Sequence, residues 1–103
     1  MKNWTSADFT AFLDEGRTGL AYFYTPICGT CQVASRMLEV IQAMNPNLEA
    51  GKIDLNYATE LAEEYEIMSV PCLFFIKEGK VADSIYAFHS VPYLLEKINT
   101  VLM

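Results

Sequence analysis

Apolar positions fall along this chain in two rhythms, short solid runs and longer stretches repeating every three to four residues, and the two alternate. The clearest helical stretch runs from about Thr30 to Met44, where Val33, Met37, Leu38, Ile41 and Met44 recur on one side until Asn45-Pro46 stops the pattern. Before it, Gly19-Leu20-Ala21-Tyr22-Phe23-Tyr24 is a solid apolar and aromatic run closed by Pro26, the signature of a strand buried on both faces. Pro71 to Ile76 is the most hydrophobic run. A turn at Glu78-Gly79 joins it to a second strand over Val81 to Phe88, which predicts a hairpin. Glu49 to Leu55 is a weaker strand, and Ala58 to Tyr65 a short helix with Leu61 and Tyr65 inward.

Both ends of the chain carry helix signals. Thr5 is an N-cap with Asp8 three residues on, Trp4 and Phe9 are placed as a hydrophobic staple, and Gly16 ends the helix. Ser90 caps a last helix with Leu94, Leu95, Ile98, Val101 and Leu102 facing the core. The order helix, strand, helix, strand, helix, hairpin, helix predicts an α/β fold whose central sheet is parallel in its first half and antiparallel in its second. With no repeat, low-complexity tract or flexible linker, one domain over residues 1–103 is expected.

Composition narrows the function. The 103 residues are 52% apolar and 13% aromatic, enough for one packed core, and only 19% are charged. Seven Lys and Arg against thirteen Asp and Glu leave a net charge of −6, which argues against nucleic acid and against anionic membrane surfaces as partners. No apolar run reaches the ~18 residues of a membrane span. The opening Met1 to Asp8 lacks a signal-peptide core, so a cytoplasmic place is expected.

Three cysteines are too few for a disulfide scaffold, so their spacing carries the chemistry. Cys28-Gly29-Thr30-Cys31 stands at a helix start, where residues three apart lie one turn from each other on one side and their sulfurs can meet in a reversible ring. The positive end of the helix favours a thiolate at the first of them. Cys28 is therefore the expected nucleophile, and Cys31, one turn in, the resolving thiol. The same spacing serves zinc and iron–sulfur sites, for which this chain offers only Cys72 and His89 as further ligands, so a thiolate metal carrier using Cys28, Cys31 and Cys72 stays open as an alternative. A pair of buried cysteines acting as small hydrophobes fits less well still, because Pro26, Gly29 and Thr30 describe a turn into a helix start and not a core position.

These features together resemble the thioredoxin family. A strand ending in Tyr24-Thr25-Pro26-Ile27, the Cys28 to Cys31 motif opening a helix, and Val70-Pro71 at the head of a hydrophobic strand about forty residues later match that family's two signatures, and the Glu78-Gly79 turn and last helix match as well. The resemblance implies a thioredoxin fold, a central mixed sheet flanked by helices, with a cis bond between Val70 and Pro71 before a central strand. It also implies exchange with disulfide-containing protein substrates, a separate reductase or thiol donor, a monomer, and no cofactor beyond a reversible Cys28–Cys31 disulfide. Ile27, Gly29, Thr30, Val70 and Pro71 become the expected substrate contacts, with the backbone of Val70 pairing to an extended substrate segment. Lys52, on the strand beside the active-site strand, is expected to tune the site.

Four positions depart from the family pattern. Ile27 stands where the family usually has Trp, and Thr30 where reducing members have Pro, which adds a hydroxyl able to donate to a nearby sulfur. The dipeptide tunes the potential, so a value less reducing than about −270 mV is expected. Tyr22 replaces the family's buried Asp. A phenol with a pKa of about 10 is a poor base, so resolution by Cys31 is expected to lean on water or hydroxide unless Tyr22 is simply a core aromatic. Cys72 replaces Thr after the proline, either as a buried small hydrophobe or as a third thiol near the pair. His89 reads as a surface or capping histidine, and Glu60, Glu63, Glu64 and Glu66 as the solvated side of a helix. The leading function is a thiol-disulfide oxidoreductase that reduces protein disulfides. A binding module on the same fold with an inert dithiol is the other alternative.

Overall fold

Lys2–Asn3 form a two-residue strand (β1) ahead of the first helix, α1, Ser6–Asp14. The computed structural model describes residues 1–103. Thr5 caps α1 through a complete capping box. The Asp8 N–H donates to the Thr5 hydroxyl, and the Thr5 N–H donates to the Asp8 carboxylate. There follow β2 (Gly19–Tyr24), α2 (Gly29–Met44), β3 (Glu49–Asp54), a 3-10 turn at Leu55–Tyr57, α3 (Thr59–Glu64), β4 (Cys72–Lys77), β5 (Lys80–Ile85) and α4 (Val91–Leu102).

The five strands lie in the order β1-β3-β2-β4-β5. β3 runs parallel to both β1 and β2, and β4 runs antiparallel to β2 and β5, giving the mixed sheet that the alternating pattern predicts. The two-residue connection Glu78-Gly79 has positive φ at both positions, 51° and 78°, the geometry of a type I′ hairpin turn. Gly79 is needed there twice over, because a Cβ would also run into the Leu13 carbonyl.

Strand alternation divides the core into two layers. From β2, Leu20 and Tyr22 point to a layer built with Ala34, Leu38 and Ile41 of α2 and Leu94, Ile98 and Leu102 of α4. Ala21 and Phe23 point to the other, with Phe9 and Phe12 of α1, Leu61 of α3, and Phe74 and Ile76 of β4. Each fully buried Leu, Ile or Phe contributes about 1.5–3 kcal/mol. Both layers bear on β2, so the strand leading to Cys28 is held from two sides.

Several sequence expectations are corrected. β1 has no hydrophobic pattern to announce it. The ring partner of Trp4 is Phe12, at 4.8 Å, one turn beyond the expected Phe9, because the indole lies flat over Gly51 of β3. On α2, Val33 and Met44 are more than half exposed, and Cys31 and Ala34 take the buried positions assigned to them. β5 ends at Ile85, short of Phe88, which enters the core from a loop and meets Tyr22 edge to face at 5.9 Å. The last helix buries Leu94, Ile98 and Leu102, with Leu95 and Val101 at the margin.

Candidate active site

β2 ends at Tyr24, and the Thr25-Pro26-Ile27 turn carries the chain round into α2. Cys28 is the N-cap, in extended conformation at φ −89° and ψ 111°. Its sulfur does what a Ser or Asp oxygen does at most helix starts, accepting the Cys31 N–H at 3.1 Å. The Thr30 hydroxyl lies 3.3 Å from the same sulfur. A sulfur that takes a main-chain N–H, a hydroxyl and the positive end of a sixteen-residue helix is set up to carry negative charge.

Cys28 and Cys31 are joined in a disulfide, with Cα atoms 5.2 Å apart. The two sulfurs differ in access. Cys28 is partly exposed behind Ile27, whose side chain is 95% exposed, whereas Cys31 is 2% exposed. An incoming group therefore meets Cys28 first.

The Val70–Pro71 peptide bond is cis. Two shallow grooves flank it. One, about 370 Å3, is lined by Thr30, Val33, Met37, Pro71, Tyr86 and His89. The other, about 330 Å3, brings Val70 together with Thr25, Ile67 and Met68. Thr30 shares the first groove with Pro71, Ile27 precedes Cys28 in the turn, and Gly29 is exposed on the first turn of α2. A third pocket, polar and about 350 Å3, opens beside Cys31 between Tyr24, Thr25, Ser35 and Arg36.

Lys52 lines neither of the grooves at Val70 and Pro71. It sits opposite Tyr22 in the β2–β3 register and extends its ammonium over the Tyr24 ring, 5.6 Å from the centroid, with no hydrogen bond to either cysteine. Cys72 is adjacent to Pro71 in sequence but faces away from the groove, packed with Phe23, Phe9 and Phe74, and it is the one free cysteine. Burial pushes its thiol up to about 12, against a small opposing effect of the Tyr86 hydroxyl. No group of three or more His, Cys, Asp or Glu side chains is placed to hold a metal ion, so nothing favours the carrier alternative. His89 is exposed at a groove rim with φ 57°, its ring against Tyr93 at 4.7 Å. In the acidic cluster, Glu60 accepts a hydrogen bond from the Ser6 hydroxyl, which lowers its carboxyl pKa.

Tyr22 is fully buried and its hydroxyl is satisfied. It donates to the main-chain carbonyl of Cys31 at 2.6 Å and accepts from the Ser35 hydroxyl at 3.2 Å. Burial first, and the neighbouring Tyr24, raise its pKa, with the Ser35 bond opposing. Sequence reasoning missed Ser35, although its place one turn beyond Cys31 on α2 was a usable signal. It also missed Tyr86, whose hydroxyl accepts the Met68 N–H at 3.2 Å and pins the segment before Pro71. Nothing in the sequence pairs those two residues.

Comparison with known proteins agrees with the geometry. The thioredoxin family model matches residues 1–100. A thioredoxin-like protein YusE of Bacillus subtilis (strain 168) is 49% identical over 80 residues, covering 78% of this chain and 76% of that protein. The thioredoxin of the same organism is 35% identical over 96 residues, covering 92% and 91%. The solved thioredoxin of Fasciola hepatica superposes with a TM-score of 0.84 at 27% identity, covering 98% of this chain and 99% of that one. Two joined cysteines at a helix tip, a mixed five-stranded sheet and these relatives lead to one assignment: the chain belongs to the thioredoxin family of thiol-disulfide oxidoreductases.

Proposed function

We propose that this oxidoreductase works in the reducing direction on protein disulfides, as a monomeric single domain in the cytoplasm, with no cofactor beyond its own dithiol. In the reduced state the Cys28 thiolate attacks one sulfur of a substrate disulfide. A Cys28–substrate bond forms, and the other substrate sulfur leaves as a thiolate and takes up a proton. Cys31, once deprotonated, attacks the Cys28 sulfur, closing the Cys28–Cys31 bond and releasing the second substrate thiolate. The substrate has gained two electrons and the protein has lost them. A separate reductase or thiol donor returns them.

The observation that carries this reading is the asymmetry of the pair, Cys28 partly exposed at the helix tip and Cys31 2% exposed behind it. The two grooves at Pro71 suit an extended segment of substrate. In this reading Val70 pairs with that segment through its backbone, while Ile27, Gly29, Thr30 and Pro71 line its path. Lys52 tunes the site through the field it adds beneath Tyr24 and Tyr22. A cytosolic thiol pool favours reduced dithiols, which sets the direction.

The test is turnover of a disulfide-bonded protein with dithiothreitol as donor. The parent chain is expected to catalyse it and Cys28→Ser to lose it. Cys31→Ser is expected to accumulate a covalent complex with the substrate. A parent chain that reduces nothing, or a Cys31→Ser protein that traps nothing, overturns the assignment of roles.

A further inference from the structure

Tyr22 carries the only hydroxyl among the buried side chains, and nothing in the exchange reaction as described above employs it. Its ring lies against Phe88, edge to face at 5.9 Å, and Tyr24, stacked at 5.9 Å, with Leu73 opposite it on β4 and Lys52 on β3. A phenol so placed forfeits water's hydrogen bonds unless the protein replaces them. Both replacements lead to α2, and to its first two turns only. One is the carbonyl of Cys31 and the other is the hydroxyl of Ser35, one turn further on. Because Ser35 donates to the phenol oxygen, it polarises the phenol and strengthens the bond that the phenol makes in turn.

The main chain of Cys31 is thereby held at both ends. Its N–H is on the Cys28 sulfur at 3.1 Å, and its carbonyl is on the Tyr22 hydroxyl at 2.6 Å. The first contact belongs to the helix cap and depends on Cys28. The second joins α2 to β2, the strand clamped between the two core layers, and has no counterpart at Cys28. From this arrangement we infer that Tyr22 and Ser35 are positioning residues for the resolving step: their hydrogen-bonded chain fixes the inner cysteine where it can reach a mixed disulfide on Cys28.

The inference rests on the exchange reaction proposed above, and it separates the two halves of that reaction. Attack by Cys28 depends on that partly exposed residue and its place as the helix cap. Closure by Cys31 is an intramolecular displacement, whose rate falls steeply when the attacking group is free to move by even an ångström. Loss of the tether therefore slows closure and spares attack.

A symmetric disulfide of thionitrobenzoate resolves the two steps. Mixed at one equivalent with the reduced chain, it releases one coloured thiolate when Cys28 attacks and a second when Cys31 displaces the other from Cys28. Tyr22→Phe is expected to keep the first release within twofold of the parent and to slow the second fivefold or more. Ser35→Ala, at a helical position that is not buried and that Ala suits, is expected to slow the second release two- to threefold, with Ser35→Thr restoring it. A second release unchanged in Tyr22→Phe and Ser35→Ala overturns the inference, and so does equal slowing of both releases. Should Tyr22→Phe not fold, the Ser35 pair decides alone: a second release that follows the hydroxyl supports the inference, and one indifferent to it overturns it. A parent chain that releases one equivalent or none removes the exchange reaction itself, and the inference with it.

Discussion

Cys72 shows how far one residue's environment departs from its neighbour's. It follows Pro71, which lines a groove beside the disulfide, yet strand parity turns its side chain through the sheet into the layer under α1 and α3. Oxidised protein should therefore show no reactive thiol in native buffer and one after denaturation, as a thiol titration would report. Its raised pKa also has a consequence for stability. Above pH 9 the unfolded chain gives up this proton while the folded chain, with its thiol near 12, keeps it, so unfolding becomes easier as pH rises. For one such group the slope is about −1.4 kcal/mol per pH unit, fully developed about one unit above the unfolded value. Urea unfolding of the oxidised protein from pH 8 upward should show stability beginning to fall near pH 9. Cys72→Ala should lose that contribution while costing about 1 kcal/mol at neutral pH through the lost contacts. Tyr22 is a second case of residue identity read correctly and its surroundings not. The sequence marks it as a poor base in a buried strand, but its two hydrogen-bond partners exist only once α2 docks on β2.

Among the elements, those with a regular apolar pattern or a side-chain cap are legible in the sequence, and the two-residue strand β1 is not. α1 is set by its capping box, and Thr5→Ala should lower stability by about 1 kcal/mol with dithiol turnover unchanged, measured by urea denaturation and by disulfide reduction on the same sample. β1 is two residues long and polar, so no periodicity reveals it; it exists because β3 offers it a partner at Gly51 and Lys52. That pairing brings Trp4 flat onto Gly51, where no side chain fits. Gly51→Ala is expected to displace the indole, shift its fluorescence to longer wavelength and cost about 1–3 kcal/mol, a reading made simple by Trp4 being the only tryptophan. The exposed Val33 and Met44 misled the periodic reading of α2 for a physical reason. The helix packs along Ala34, Leu38 and Ile41, and the wider apolar stripe exceeds what the sheet and α4 cover. The periodic pattern starts α2 at about Thr30, and with the Cys28 sulfur as its cap the helix opens one residue earlier, at Gly29.

At the scale of the whole molecule, charge and topology act together. The net charge of −6 produces a field that attracts basic partners and repels acidic ones. A short disulfide peptide rich in Lys should be reduced several-fold faster than its Glu-rich counterpart at roughly 10 mM salt, and the two rates should converge toward roughly 1 M salt, where screening acts within about 3 Å. The mixed sheet places the two most apolar strands, β2 and β4, inside and leaves β1 and β5 as its flanks. Those flanks are poor templates for another chain. β1 is only two residues long, while β5 carries a register shift near its middle and Asp83, tied to Lys97 on α4. Disulfide exchange joins two chains for a moment and must then let them part, and here both margins of the sheet are blunted against fibril growth.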